Sequence, residues 1–524
     1  MKYQIFSENE WLYPDSVITE ENSNIELYSA RNADVCFQVL TDVNLKGGEE
    51  CSFLAENLDC EVVGYQLLPV HVEENSSATY HTTLDYDSVK EFVTRQAPFD
   101  VYDMTRPLES GILLAGRAAF FLRLNVEADA VPGLHQGRIA IKVGEEQIVL
   151  TVSLKIYQTV IPELKDAAFH MTNWIHLPAV KKLHHVEIKS EEYYKVIQEY
   201  VRNQVDMRSD YLKIPMGEPV KDEEGKVIDF DFSHAAAVGN LALECGMIYL
   251  TGEFPATWLK WDDASLYLNW DHEVAIGTLE GYRQLKLYFT RAWECVCKNH
   301  WQNCYTQSLT DEPQFRNQAD YRALSAICRK CMPGITILEA VETTDIAGAL
   351  DIWAVKQATY EKYIDIYRTL QDMGEEMMIY SCGFPAGAMM NRVIDLPLVV
   401  SRLFMWVCYH YHCHGFLHFG YGEHNDEIEG STCLRVKEGV TLPPGDAFIV
   451  YPAKDNPYGV WYSIRGHHQR LGAVDHELFC MLEKKYSFEK ADELITRCCR
   501  GFEDYQTDTE LVENIRHSVL ELLG

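Results

Sequence analysis

Eight short apolar segments, each followed by an interval long enough for a crossover, run through the chain from residue 165 onward. They are AFHMTNW, DYLKIP, GMIYLTG, NCYTQSL, GITILEA, LDIWAV, EEMMIYSC and GFLHFGY. Apolar residues at helical spacing fill several of the intervals, as in SEEYYKVIQEYVRNQV, LEGYRQLKLYFTRAWECVCKNH and QADYRALSAICRKC. Strands that alternate with helices run parallel, and eight such units close into a barrel. A (β/α)8 barrel is therefore expected over 163–485.

The chain before this region has a different texture. NADVCFQVL, CEVVGYQLLPV, AAFFLRLNVEA and GRIAIKVGEEQIVLTVSLKIY alternate apolar with polar residues, and turn chemistry such as VPGLHQG and VGEEQ separates them. That pattern predicts an N-terminal β-sandwich over 1–162, joined through a short link carrying Pro162. The tail past about 463 reads as helical, giving the last barrel helix and a C-terminal helical extension over 486–524. A length of 524 residues is too great for one hydrophobic core, which agrees with a multidomain fold class.

Composition narrows the partners. The formal net charge of −33 repels nucleic acid and anionic membrane, so neutral or small partners are expected. The N-terminal stretch MKYQIFSENEWLYPDS is interrupted by Glu8, Glu10 and Asp15 and lacks the apolar run of a signal peptide. LPLVVSRLFMWVCYHYHC is broken by Arg402 and is too short and polar to span a bilayer. Sixteen cysteines in a chain of this length fit reduced, packed thiols rather than a disulfide scaffold, so a cytoplasmic location is expected.

Two clusters invite a metal reading. Cys328 and Cys331 form a lone CxxC without a second pair at matching spacing, and packed helix thiols are the expected role. His410, His412 and His414 alternate, but they precede a strand, on the face of a barrel remote from chemistry, so a polar loop is expected there. No metal or organic cofactor is expected. The signatures of serine hydrolases, P-loop enzymes, dinucleotide-binding proteins and zinc proteases are missing from the sequence.

SLTDEP places Asp311 and Glu312 at the end of the fourth predicted strand, where barrel enzymes carry their catalytic groups. Pro313 ends the strand and is expected to hold Glu312 extended, so that both carboxylates turn into the barrel mouth. Taken alone, the tripeptide also suits an acidic loop or the first turn of a helix. At a barrel mouth, two carboxylates are the equipment of glycoside hydrolysis, yet adjacent residues cannot easily flank a sugar ring from opposite faces. A 2-acetamido sugar removes that difficulty by supplying its own nucleophile. One carboxylate then steadies the charged intermediate while its neighbour serves as general acid and base.

The sequence resembles glycoside hydrolase family 123 and its related uncharacterised domain proteins. The resemblance covers most of the chain, through ADAVPGLHQGRIAIKV, VSLKIYQTVIP, SLTDEP, LDIWAV, MMIYSCGFPAGAMMNRVIDLPLVVSRLFMW, HGFLHFGYG, GDAFIVYP and YSIRGHHQRLGAVDHEL. It implies exo-acting, retaining, substrate-assisted release of terminal β-linked N-acetylgalactosamine, with Asp311 as the stabiliser of the oxazoline-like intermediate and Glu312 as acid and base. AAFFLRLNV stands where the family usually has a tryptophan-containing strand, and His418 where it commonly has another aromatic.

Pocket candidates taken from expected strand ends are His170, Asn173, Trp174, Trp353, Tyr380, Asn391 and Tyr421, with core packing as the competing role for each. Arg465 is expected to close the barrel beneath its last helix. The expected partner is an oligosaccharide or glycoconjugate with a terminal β-linked 2-acetamido sugar. Two other readings stay open, a glycosidase of this fold acting on another glycan and an inactive carbohydrate-binding protein.

Overall fold

The computed structural model describes residues 1–76, 92–109, 111–261, 263–385, 387–424, 430–437 and 440–524. Contacts divide the chain into two compact units. The first holds Met1–Ala168, Cys382–His410 and Gly420–Gly524, and the second holds Phe169–Ser381 and Tyr411–Phe419. The expected three-part division follows the chain, whereas this one follows contacts; the first unit takes 163–168, 382–410 and 420–485 from the expected barrel, together with the C-terminal extension.

The first unit contains two sheets whose inner faces share one core. A seven-stranded sheet runs in the order Tyr3–Ser7, Ala33–Leu45, Gly116–Val126, Glu61–Val72, Phe99–Pro107, Val460–Ser463, Val450–Pro452. A four-stranded sheet runs Asn24–Arg31, Glu146–Val160, Gly133–Val143, Cys51–Glu56. Phe37, Val39, Phe120 and Leu122 of the first meet Ile139, Ile141, Leu150 and Val152 of the second in a single buried cluster. Alternate residues of Gly133–Val143 and Glu146–Val160 are buried, as period-2 patterning requires. The last two strands at one edge of the larger sheet come from residues 450–463, a stretch read from sequence as barrel. Tyr462 pairs there with Thr105, and Ser463 with Met104.

Four helices of this unit follow, at Val400–His410, Ile464–Lys485, Phe488–Ile495 and Thr509–Leu523. Arg402, which interrupts the most apolar run, is buried and paired with Asp475 at 2.6 Å. Arg465 does not close the barrel: its guanidinium is fully buried against Asp103 at 2.9 Å, within the first unit. Among the described residues no helix is long and apolar enough to cross a membrane.

The second unit is a closed parallel barrel of eight strands: β1 (His170–Asn173), β2 (Tyr211–Ile214), β3 (Tyr249–Gly252), β4 (Tyr305–Gln307), β5 (Thr336–Val341), β6 (Ile352–Lys356), β7 (Glu376–Tyr380) and β8 (Gly415–His418). Six lie inside the segments read from the sequence, and β5 and β6 each run one residue past theirs, to Val341 and Lys356. Closure comes from β1 pairing with β8, His170 opposite Gly415 through Asn173 opposite His418. Two of the helices between the strands begin at side-chain caps: Ser190 accepts from the Tyr193 amide, and Thr278 from the Gly281 amide. Cys328, from the CxxC, is buried on the helix Gln318–Cys331 with its sulfur 3.9 Å from that of Met332.

Candidate active site

Parallel strands put all their C-terminal ends at one mouth, and the residues that follow β3, β4 and β5 supply its acids. Gly252 ends β3; a Cβ there would collide with the Tyr305 hydroxyl and the Gln307 amide, so glycine lets β4 approach closely. Gln307 then donates to the Glu253 carbonyl at 3.0 Å and fixes the start of the loop after β3. That loop returns to the acid pair, where the Trp258 indole donates to the Asp311 carbonyl at 2.8 Å.

The segment between β4 and the acid pair is held by a buried carboxyl. Glu339 of β5 accepts from the Leu309 amide at 2.7 Å and the Thr310 amide at 3.1 Å. Burial holds its carboxyl well above the usual range, while those two amides pull the other way.

Pro313 does not hold Glu312 extended. Glu312 has φ of +39°, in the left-handed region that non-glycine residues rarely adopt. Its carbonyl accepts from the Gln314 side chain at 2.9 Å, and Gln314 in turn shares a capping box with Asn317 at the turn that follows. This reversal, rather than an extended strand end, sets the two acids.

The Glu312 carboxylate receives a hydrogen bond from the Tyr380 hydroxyl at the end of β7. The same hydroxyl lies 3.4 Å from Glu342, just past β5, which is paired with Lys356 of β6 at 2.6 Å. On the other side Lys213 of β2 is paired with Glu253 at 2.5 Å, and its ammonium sits 3.9 Å from the Trp174 ring centre and 3.5 Å from that of Phe254. Glu253 and Glu342 thus each have a lysine, which leaves Asp311 and Glu312 as the acidic centre of the mouth.

Desolvation pushes Glu312 up to about 8, and the neighbouring charges of Asp311 and Glu342 push the same way; Lys356 and the Tyr380 hydrogen bond oppose them. Asp311 is also raised, first by desolvation and then by Glu253 and Glu342, against the pull of Lys213. Burial and the charge of Asp311 next to it in the chain both favour the protonated form of Glu312. One proton and one negative charge, on neighbouring groups, can protonate a leaving oxygen and stabilise a cation in the same event.

Of the residues expected to line a pocket, Trp174 and Tyr380 join Asp311 and Glu312 at the mouth. His170 is the first residue of β1, at the opposite end of the strand, where it meets Asp210 at 2.6 Å. Asn173 is buried with its amide 3.2 Å from the hydroxyl of Ser209, which precedes β2. Trp353 lies inside β6 and donates to Glu375 at 2.8 Å while packing edge-on to Tyr367, so it covers the barrel's outer face. Asn391 and Tyr421 are buried residues of the first unit; Asn391 donates to the Cys382 carbonyl at 2.6 Å, and the Tyr421 carbonyl accepts from Ile449 at 2.8 Å. The sequence reading missed Lys213, Glu253, Glu342 and Lys356. Their signal is a charge inside or directly after an apolar strand, as in YLKIP, YLTGE, LEAVE and WAVK.

Residues 174–482 match the family model of the glycoside hydrolase 123 catalytic domain. Among solved structures, a family 123 glycoside hydrolase from Clostridium perfringens, described for glycolipid glycan hydrolysis, is similar at 14% identity and TM-score 0.78, over 99% of this chain and 97% of that one. An exo-β-1,4-mannosidase from Opitutaceae bacterium strain TAV5 is similar at 9% identity and TM-score 0.40, over 62% and 60% of the two chains. An endo-β-1,4-mannanase from Thermotoga petrophila is similar at 13% identity and TM-score 0.36, over 60% and 78%. No curated protein matches the sequence.

Proposed function

The chain belongs to glycoside hydrolase family 123, and from that premise we propose that it is an exo-acting, retaining β-N-acetylhexosaminidase that releases terminal β-linked N-acetylgalactosamine with the help of the substrate's own acetamido group. The observation that carries this reading is a protonatable Glu312 directly beside Asp311, in a mouth where the other acids are paired with lysines. Exo action and the galacto preference rest on the family resemblance.

In the first step the acetamido oxygen attacks the anomeric carbon. The bond to the aglycone oxygen breaks, its electron pair stays on that oxygen, and Glu312 supplies the proton. Asp311 accepts a hydrogen bond from the acetamido N–H and stabilises the positive charge of the oxazolinium intermediate. In the second step water attacks the anomeric carbon and gives a proton to Glu312, and the ring oxygen of the oxazolinium returns to the amide. Two displacements at one carbon retain its configuration. Tyr380 donates to Glu312 and so orients the acid at the mouth.

The substrate is an oligosaccharide or glycoconjugate ending in a β-linked 2-acetamido sugar. Glycolipid glycans, the subject of work on the Clostridium perfringens protein, fall in that class. The reading takes the enzyme to act in the cytoplasm on small imported oligosaccharides.

A second reading is favoured by Glu342. The Tyr380 hydroxyl meets both Glu312 and Glu342, so these two carboxyls are near enough to act as acid and nucleophile in a retaining glycosidase that needs no acetamido group. Aryl β-N-acetylgalactosaminide, β-N-acetylglucosaminide and β-galactoside separate the two. Cleavage of the acetamido sugars alone is the expected result; equal cleavage of the galactoside favours Glu342, and cleavage of none favours a binding role or another glycan.

A further inference from the structure

The loop after β3 carries an exposed apolar tip that the chemistry above does not use. Trp261 is 47% exposed and Leu259 46%. The tip is not loosely hung. Its base is pinned to the strand that bears the acids by the Ala256 amide on the Leu309 carbonyl at 3.3 Å and by the Trp258 indole on the Asp311 carbonyl at 2.8 Å. Its far side is pinned by the Leu266 amide on Asp320 at 2.9 Å. The turn itself is closed by Asp263, whose carboxylate accepts from the Leu259 amide at 3.0 Å and the Lys260 amide at 2.7 Å. Trp261 packs edge-on against Trp258, ring centres 5.2 Å apart, so an exposed indole is held at a fixed offset from the backbone of Asp311.

We propose that Trp261, backed by Trp258 and flanked by Leu259, is the platform for the aglycone-side sugar, the pyranose ring that departs when the acetamido sugar is released. This rests on the hexosaminidase reading and extends it to the leaving group. A β-linked hexose presents an apolar C–H face, and an indole is the side chain that best covers such a face while its rim stays wet. The occupant is one sugar ring rather than a lipid chain, because exposed Lys260 stands between Leu259 and Trp261 and limits the apolar surface. The loop grips the same residues that carry the acid pair, so a ring stacked on Trp261 is registered against Glu312, which must reach its glycosidic oxygen.

The test compares two substrates of the same acetamido sugar, one β-linked to methanol and the other to a second hexose. The ratio of their kcat/KM values, disaccharide over methyl glycoside, is measured for wild type and for Trp261→Ala, an exposed substitution that leaves the core intact. The ratio is expected to fall about tenfold in the variant, the scale of one lost aromatic contact. Trp261→Phe is expected to restore most of it. An unchanged ratio with both substrates cleaved overturns the platform and leaves the hexosaminidase reading standing. Wild-type enzyme inert on both substrates overturns that reading and the platform with it.

Discussion

The hydroxyl of Tyr380 donates a hydrogen bond to the carboxylate of Glu312, joining the end of β7 to the acid pair that follows β4. A donor of this kind favours the ionised carboxylate, so Tyr380 works against the burial and the neighbouring acids that push Glu312 up to about 8. The residue that acts as acid is therefore tuned from across the barrel.

The first step needs Glu312 protonated, so kcat/KM, which reports the free enzyme, is expected to fall as pH rises through about 8. Tyr380→Phe removes an interaction that lowers the Glu312 pKa, and its alkaline limb is expected to move to higher pH. A pH profile on a substrate with a poor leaving group measures both. A limb that stays in place in the variant contradicts the coupling.

Removing either acid separates their roles. Glu312→Gln is expected to lose about 10²–10⁴-fold in kcat on poor leaving groups and far less on activated aryl glycosides, which depart without a proton. Asp311→Asn is expected to lose about 10²–10³-fold on both, since charge stabilisation is needed whatever leaves. Equal losses across leaving groups for Glu312→Gln would rule out its role as the acid.

Stability carries the same signature with a definite sign. A carboxyl whose folded pKa lies above its unfolded value stabilises the fold fully below about 4.5, and that contribution is lost as pH rises through about 8. Glu312→Gln has no such proton to lose. Its melting temperature relative to wild type is expected to rise between about pH 5 and 9; a constant difference would place the Glu312 pKa in the ordinary carboxyl range.

Glu339 holds the Leu309 and Thr310 amides just upstream of the acids. Glu339→Gln keeps an oxygen for both donors and is expected to retain most activity. Glu339→Ala orphans two buried amides and is expected to cost about 1–3 kcal/mol in denaturant unfolding, with a drop in kcat as the segment loosens. Equal behaviour of the two variants would remove Glu339 from the support of the site.

The barrel was legible because its strands are apolar runs bounded by polar crossovers, and SLTDEP was legible because proline after two acids marks a strand end. Side-chain direction was less so. Trp353 and His170 were read as following strands that in fact contain them, and within a barrel strand both end and parity decide whether a residue meets the mouth. Asn391 and Tyr421 follow β7 and β8 in sequence, but contacts count them with the other unit. Lys213 and Lys356 escaped notice because an isolated charge in a strand gains its meaning from a partner on a different strand, Glu253 or Glu342, which no local pattern reveals. The left-handed turn at Glu312 runs against the usual bias of a residue before proline, and it is accompanied by a tertiary hydrogen bond from Trp258 to the Asp311 carbonyl and a local one from Gln314 to the Glu312 carbonyl.

The most direct measurement of substrate assistance varies the nucleophile within the substrate. Aryl β-N-acetylgalactosaminides bearing acetyl, monofluoroacetyl, difluoroacetyl and trifluoroacetyl groups differ little in size and progressively weaken the carbonyl oxygen. Attack by that oxygen predicts a steep, monotonic fall in kcat/KM along the series. A flat series, with all four cleaved alike, would contradict the account and transfer the nucleophile's role to a carboxylate of the enzyme.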